Sequence, residues 1–146
     1  MAKLEFTLER GEIVTADIFV DKVPQTWRAL TAVLPTTLTL LNARWSGREL
    51  HNQIDIPEKP PRENQTIHAS IGDVIYACEW PGVRDYTGFE AVAFFYGAET
   101  INDWRGSFAA NWIGHINVSQ WHLIQEIGER IYRHGGEECH IRAIDD

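Results

Sequence analysis

The stretch FVDKVPQTWRAL, Phe19 to Leu30, decides how this chain is read. An extended run breaks at Asp21, and Pro24 then opens a helical pattern. Proline suits the first helical turn, where its missing N–H leaves no bond unmade. Trp27, Leu30 and Leu34 recur at helical spacing and predict a core-facing stripe. Pro35 ends the helix, because a proline disfavours helical geometry in the residue before it.

Upstream, KLEFTLERGEIVTADIFV reads as a hairpin. Leu4, Phe6 and Leu8 alternate with Glu5, Thr7 and Glu9, the period of a strand with one buried face. Arg10-Gly11 supplies the turn, and Val14, Ala16, Ile18 and Val20 alternate on the return. Downstream, TTLTLLNARW, LHNQIDI, GDVIYACEW and FEAVAFFYG read as strands. Ser46-Gly47 and PGVRDYTG read as turns, and PEKPPREN as a charged, proline-rich surface loop. AETINDWRGSFAANWIGHI is irregular and aromatic. SQWHLIQEIGERIYRHG is a second helix: Ser119 is the expected N-cap, Ile124, Ile127 and Ile131 form the stripe, and Gly135 ends it. EECHIRAI is a closing strand. Several short strands with one helix near each end exclude repeated βαβ units. They predict a single mainly β domain over residues 1–146, a closed antiparallel barrel with two helices packed at its ends.

A net charge of −8 excludes a sequence-independent nucleic-acid binder and disfavours an anionic membrane surface. No run of about 18 apolar residues occurs and no secretory leader is evident, so a soluble, cytoplasmic protein is expected. Cys78 and Cys139 fit no zinc or redox spacing and are expected to be reduced and structural. No His-x-x-x-His pair or carboxylate cluster predicts a metal site, and no cofactor is expected.

The order of these elements is that of cyclophilins, and FVDKVPQTWRAL resembles the stretch near their N-terminus. VAFFYG resembles the Phe-Phe strand that floors their proline pocket, and DWRGSFAANWIGHI their Trp-Gly segment. The chain is more similar still to small bacterial cyclophilin-like proteins of uncharacterised function. It shares five landmarks with them: Leu34-Pro35, Trp45-Ser46-Gly47, Gly72-Asp73 with Tyr76, Trp80-Pro81-Gly82, and Phe95-Tyr96-Gly97. The resemblance implies a barrel with a lateral groove. It does not carry over a complete isomerase site. Arg44 lacks the Phe-His before it, Gln53 lacks the glycines of the substrate-binding segment, and Ser107, Phe108 and Ala109 stand where the pocket histidine follows.

Six tryptophans in a chain of this size are many. Trp45, Trp80, Trp104 and Trp112 fall on or beside turns, where they either cap the core or line a pocket for a planar ligand. Arg44 beside Trp45 is a candidate anchor for a carboxylate or carbonyl, or a surface ion-pair partner; Arg105 beside Trp104 is another. Glu79, His51 and His115 are the candidate proton-transfer groups. The expected catalytic set, for an enzyme, is Arg44, Glu79 and His115. The expected binding set is Trp45, His51, Gln53, Trp80, Phe94, Phe95, Trp104, Arg105 and Trp112. The ligand expected is a small carboxylate or amide. A prolyl isomerase with an incomplete site and a non-catalytic homo-oligomeric module are the alternatives, and no residue set in the sequence fixes a reaction.

Overall fold

The computed structural model describes residues 1–80 and 88–145, so most of the expected turn PGVRDYTG, with Pro81 and Gly82, lies outside the described residues. Eight strands close into one antiparallel barrel. In chain order they are β1 (Ala2–Leu8), β2 (Ile13–Ile18), β3 (Thr36–Asn42), β4 (Glu49–Gln53), β7 (Asp73–Cys78), β8 (Glu90–Phe95), β12 (Ala110–Ile116) and β13 (Glu137–Asp145). Around the barrel they run β2-β1-β13-β3-β4-β8-β7-β12, and β12 returns to β2. Short two-residue strands occupy the connections: β5 (Gln65–Thr66), β6 (His68–Ala69), β9 (Glu99–Thr100), β10 (Asn102–Asp103) and β11 (Gly106–Ser107).

The strand alternation read from the sequence sets the faces. Leu4, Phe6, Leu8, Val14, Ala16 and Ile18 all point inward. They meet Leu50, Val74, Val92 and Phe94 from the other side of the barrel. Helix α1 (Pro24–Thr31) adds Leu30 to this interior, with Trp27 and Leu34 half-buried against it. Helix α2 (Trp121–His134) adds Ile124, Ile127 and Ile131. Gly128 lets α2 approach closely, since a Cβ there would lie 2.5 Å from the Tyr96 ring. No helix among the described residues is long and apolar enough to cross a membrane. Both cysteines are buried free thiols, and burial pushes Cys139 up to about 12.

Three details depart from the sequence reading. Ser119 is not the cap of α2. Asn117 caps a preceding helical turn by accepting the Ser119 N–H, and α2 begins at Trp121. The strand expected to run through Trp45 stops at Asn42, and Arg44–Ser46 form one helical turn. The end of the irregular stretch, ANWIGHI, is the barrel strand β12. Its alternation is broken by a register shift between Trp112 and Gly114. Gly114 is there because β2 comes close: a Cβ would sit 2.4 Å from the Asp17 carbonyl oxygen.

A second, smaller core lies outside the barrel wall. Ile75, Ala77, Ala93 and Phe95 face outward from β7 and β8 and are covered by Ala69, Ile101 and Ala110. The short residues Ala77 and Ala93 keep the wall shallow enough for the 97–109 excursion to lie on it.

The strap formed by residues 57–64, expected to be a plain surface loop, is pinned to the barrel. Asn111, fully buried on β12, accepts the Glu63 N–H at 3.0 Å and donates to the Pro61 carbonyl at 3.0 Å. It also donates to the Thr26 hydroxyl at 3.1 Å and accepts from the Gln65 amide at 3.0 Å. Glu63 in turn caps α1, taking the Thr26 N–H and hydroxyl, each at 2.7 Å. Replacing Asn111 with alanine strands several buried polar groups, so a loss of about 2 kcal/mol in urea unfolding is expected. The strap should become more sensitive to limited proteolysis in the same variant. An unchanged midpoint and cleavage pattern would contradict this account of the pin.

Candidate functional site

Where β7 runs out and β8 begins, a cleft of about 120 Å3 opens at the edge of the barrel. Its walls are Trp80 from β7's continuation, Phe89 leading into β8, and Phe108 from the excursion. Cys78 lies against it, its thiol raised by burial. Two charged groups frame the cleft. On one side the Arg105 guanidinium holds Glu79 at 2.6 Å and Asp103 at 2.9 Å, and lies 4.5 Å from the Trp104 ring. The two carboxylates keep Arg105 above its ordinary value, Asp103 contributing most. Glu79 also accepts the Gly88 N–H at 2.9 Å. On the other side Arg62 lies over Trp80, 4.9 Å from its ring centre. Trp80 is itself fixed, donating its indole N–H to the Pro60 carbonyl at 3.0 Å and meeting Tyr76 edge-on.

Beneath Trp80 the barrel end is closed by polar groups. Glu90, buried on β8, accepts the Tyr76 hydroxyl at 2.5 Å and the Lys59 ammonium. It also accepts the Ile56 N–H at 3.3 Å. Burial and this carboxylate keep the Tyr76 phenol protonated well above its ordinary value. Lys59 of the strap, with Ile56 just before it, ties the strap to the barrel a second time.

Of the residues singled out in the sequence, Glu79, Trp80 and Arg105 meet in this cleft. Trp104 lies just outside it, 55% exposed, and shares an adjoining groove with Gln53 and Phe89. An aromatic belt continues from there: Trp104 packs edge-on against Phe89, Phe89 faces His51, and His51 meets Trp45. His51 is buried, its ring nitrogen 3.2 Å from the Leu41 carbonyl, and desolvation lowers its basicity.

The rest lie elsewhere. Arg44 donates to the Tyr132 carbonyl at 2.6 Å and stacks on that residue's ring, at the end of α2. Phe94 points into the barrel and Phe95 into the outer core, both fully buried. Trp112 stacks edge-on against Phe19. His115 sits at the opposite end of β7, some 16 Å from Cys78 by strand rise. There its Nδ1 is 2.9 Å from Asp73, whose other oxygen accepts the Ser70 N–H.

The sequence reading missed Arg62, Phe89, Phe108 and Asp103. Arg62 sits within the proline-rich segment that composition assigns to solvent. The run of prolines around it was the available signal, since a stiff segment costs less entropy to fix against a barrel. It also missed Glu49, on the outer face of β4 opposite Phe95. That carboxyl is buried and raised to about 7 by desolvation, which a hydrogen bond with the Ser46 side chain partly opposes. No group of His, Cys, Asp and Glu able to hold a metal occurs among the described residues.

The model of the family described as proteins of unknown function, DUF3830, matches residues 6–142. The chain belongs to the DUF3830 family. No protein with a curated description matches this DUF3830 chain. The solved structures that share its fold include McbB and AF2241. McbB, determined in complex with tryptophan, superposes with a TM-score of 0.72 over 98% of the chain at 20% identity. The DUF3830 chain spans just under half of McbB, 46% of its length. The hypothetical protein AF2241 from Archaeoglobus fulgidus gives a TM-score of 0.60 at 23% identity, over 96% of this chain and 92% of its own. At these identities the likeness is one of barrel architecture.

Proposed function

We propose that this DUF3830 protein binds a small planar organic ligand in the cleft between Trp80, Phe89 and Phe108. The observation that carries the reading is the arrangement of the walls. Three aromatic side chains line one concavity, together with the charged Arg62, Glu79, Asp103 and Arg105. Ligand sites are commonly built this way, as mostly apolar concavities with a few placed polar groups. That McbB was solved with tryptophan, whose indole ring is planar and aromatic, supports a ligand with such a ring. The landmarks that resemble those of cyclophilin-like proteins support a barrel scaffold of this kind and carry no reaction. Support for prolyl isomerisation is weaker, because Arg44 is held at α2 and not beside the aromatic cleft.

The test is a fragment screen read by amide chemical shifts. Planar fragments, neutral and charged, should perturb Cys78, Trp80, Phe89 and Phe108 together. Trp80→Ala should weaken every hit by about tenfold, the scale of losing one aromatic wall. If no planar fragment binds, or if shifts gather elsewhere and ignore Trp80→Ala, the reading fails.

A further inference from the structure

The ligand class follows from how Arg62 is held, on the reading that the cleft is a binding site. Among the described residues, two cations near the barrel end are committed to carboxylates: Lys59 to Asp55 and Glu90, Arg105 to Glu79 and Asp103. Arg62 differs. Among the described residues its hydrogen-bond partner is a neutral one, the Gln65 amide oxygen at 3.1 Å, and its other contact is the Trp80 ring.

An exposed arginine usually loses much rotamer freedom when it grips a ligand, and that entropy is subtracted from affinity. Here both backbone neighbours are already fixed, since Pro61 and Glu63 each bond to the buried Asn111. The guanidinium carbon lies over an indole that Pro60 holds in place, 4.9 Å from the ring centre. A guanidinium held over a ring still has N–H donors to offer, and its planar fork gives a carboxylate two parallel bonds. Across the cleft the Arg105 guanidinium is already shared by two carboxylates, Glu79 and Asp103, so a ligand carboxylate is directed to Arg62.

We infer that the site selects planar aromatic monocarboxylates, with the ring between Trp80 and Phe89 and the carboxylate forked onto Arg62 at the mouth. An uncharged amide of the same shape loses the charge-assisted pair. An amine meets Arg62 with like charge.

Calorimetry with indole-3-acetate, indole-3-acetamide and tryptamine separates these effects, because the ring is constant and the polar end changes. Indole-3-acetate should bind at least about tenfold more tightly than the amide, the scale of a charge-assisted hydrogen-bonded pair. The advantage should shrink as salt rises. It should vanish in Arg62→Gln and survive in Arg28→Gln, a charge removal of the same kind in the separate groove beside α1. Arg62→Lys should restore part of it, keeping the charge without the fork. Equal affinities for acid and amide, a preference for tryptamine, or an acid preference untouched by Arg62→Gln would overturn the class while leaving cleft binding intact. Absence of binding by all three, together with an empty fragment screen, would remove both.

Discussion

Phe94→Ala lowers the unfolding free energy by about 4 kcal/mol, the usual cost of removing a fully buried phenylalanine and leaving its cavity. Phe94 has no solvent exposure and sits on β8 between Leu50 of β4 and Val74 of β7. Its ring meets Phe6 of β1, across the barrel, edge-on at 5.2 Å. The substitution therefore loses both transfer energy and an aromatic pair. It leaves a hole that eight hydrogen-bonded strands cannot readily collapse to fill. Urea unfolding of the variant at neutral pH is the measurement. A loss below 1 kcal/mol would mean that the barrel interior is not packed around this ring.

The second large effect depends on pH. Glu49 is raised from 4.5 to about 7 in the folded protein by desolvation. Between those values the folded state keeps a proton that the unfolded chain has released. Stability then falls as pH rises, at about 1.4 kcal/mol per unit, and levels off above about 7. The total is about 3 kcal/mol. Glu12 and Glu63 act in the opposite sense. Arg130 holds Glu12 low, and the Thr26 and Gln25 donors hold Glu63 low against the desolvation that opposes them. Their contribution is present above the ordinary carboxylate range and is lost as pH falls through their folded values. The difference between the wild type and Glu49→Gln isolates the Glu49 part. The variant should lack the decline between pH 4.5 and 7, and should be the more stable protein at pH 8. Parallel pH profiles for the two proteins would refute the assignment.

The two predictions differ in how far the sequence anticipated them. Phe94 belongs to a strand pattern and to the expected binding set, whereas the structure points it into the barrel interior. Glu49 reads as an ordinary polar residue beside a turn. Its burial comes from the outer layer, where Ser46 and the excursion carrying Asn102 close over the wall of the barrel. Nothing local in the sequence marks a carboxyl for desolvation when the covering chain lies some 50 residues away.

The candidate site divides in the same way. Trp80, Glu79 and Arg105 stand out because indoles and charges beside turns are conspicuous in a list of residues. Their assembly is not. Arg105 reaches Glu79 across 26 positions, and Arg62 reaches Trp80 across 18. Arg44 stands out equally and is drawn to Tyr132, 88 positions away.

What the sequence by itself determined is the set of local elements. Alternation marks the faces of β1 and β2, helical spacing marks the stripes of α1 and α2, and prolines and glycines mark where each stops. These depend on periods of two and 3.6 residues, which neighbours along the chain dictate. The tertiary structure alone decided how the barrel closes, at Gly114 against the Asp17 carbonyl, and where the 57–64 strap comes to rest. It alone decided that Arg62 rather than Arg44 stands at the cleft. A period tells which side of a strand is apolar but not which distant strand meets it. Charge partners and desolvation are set by that meeting.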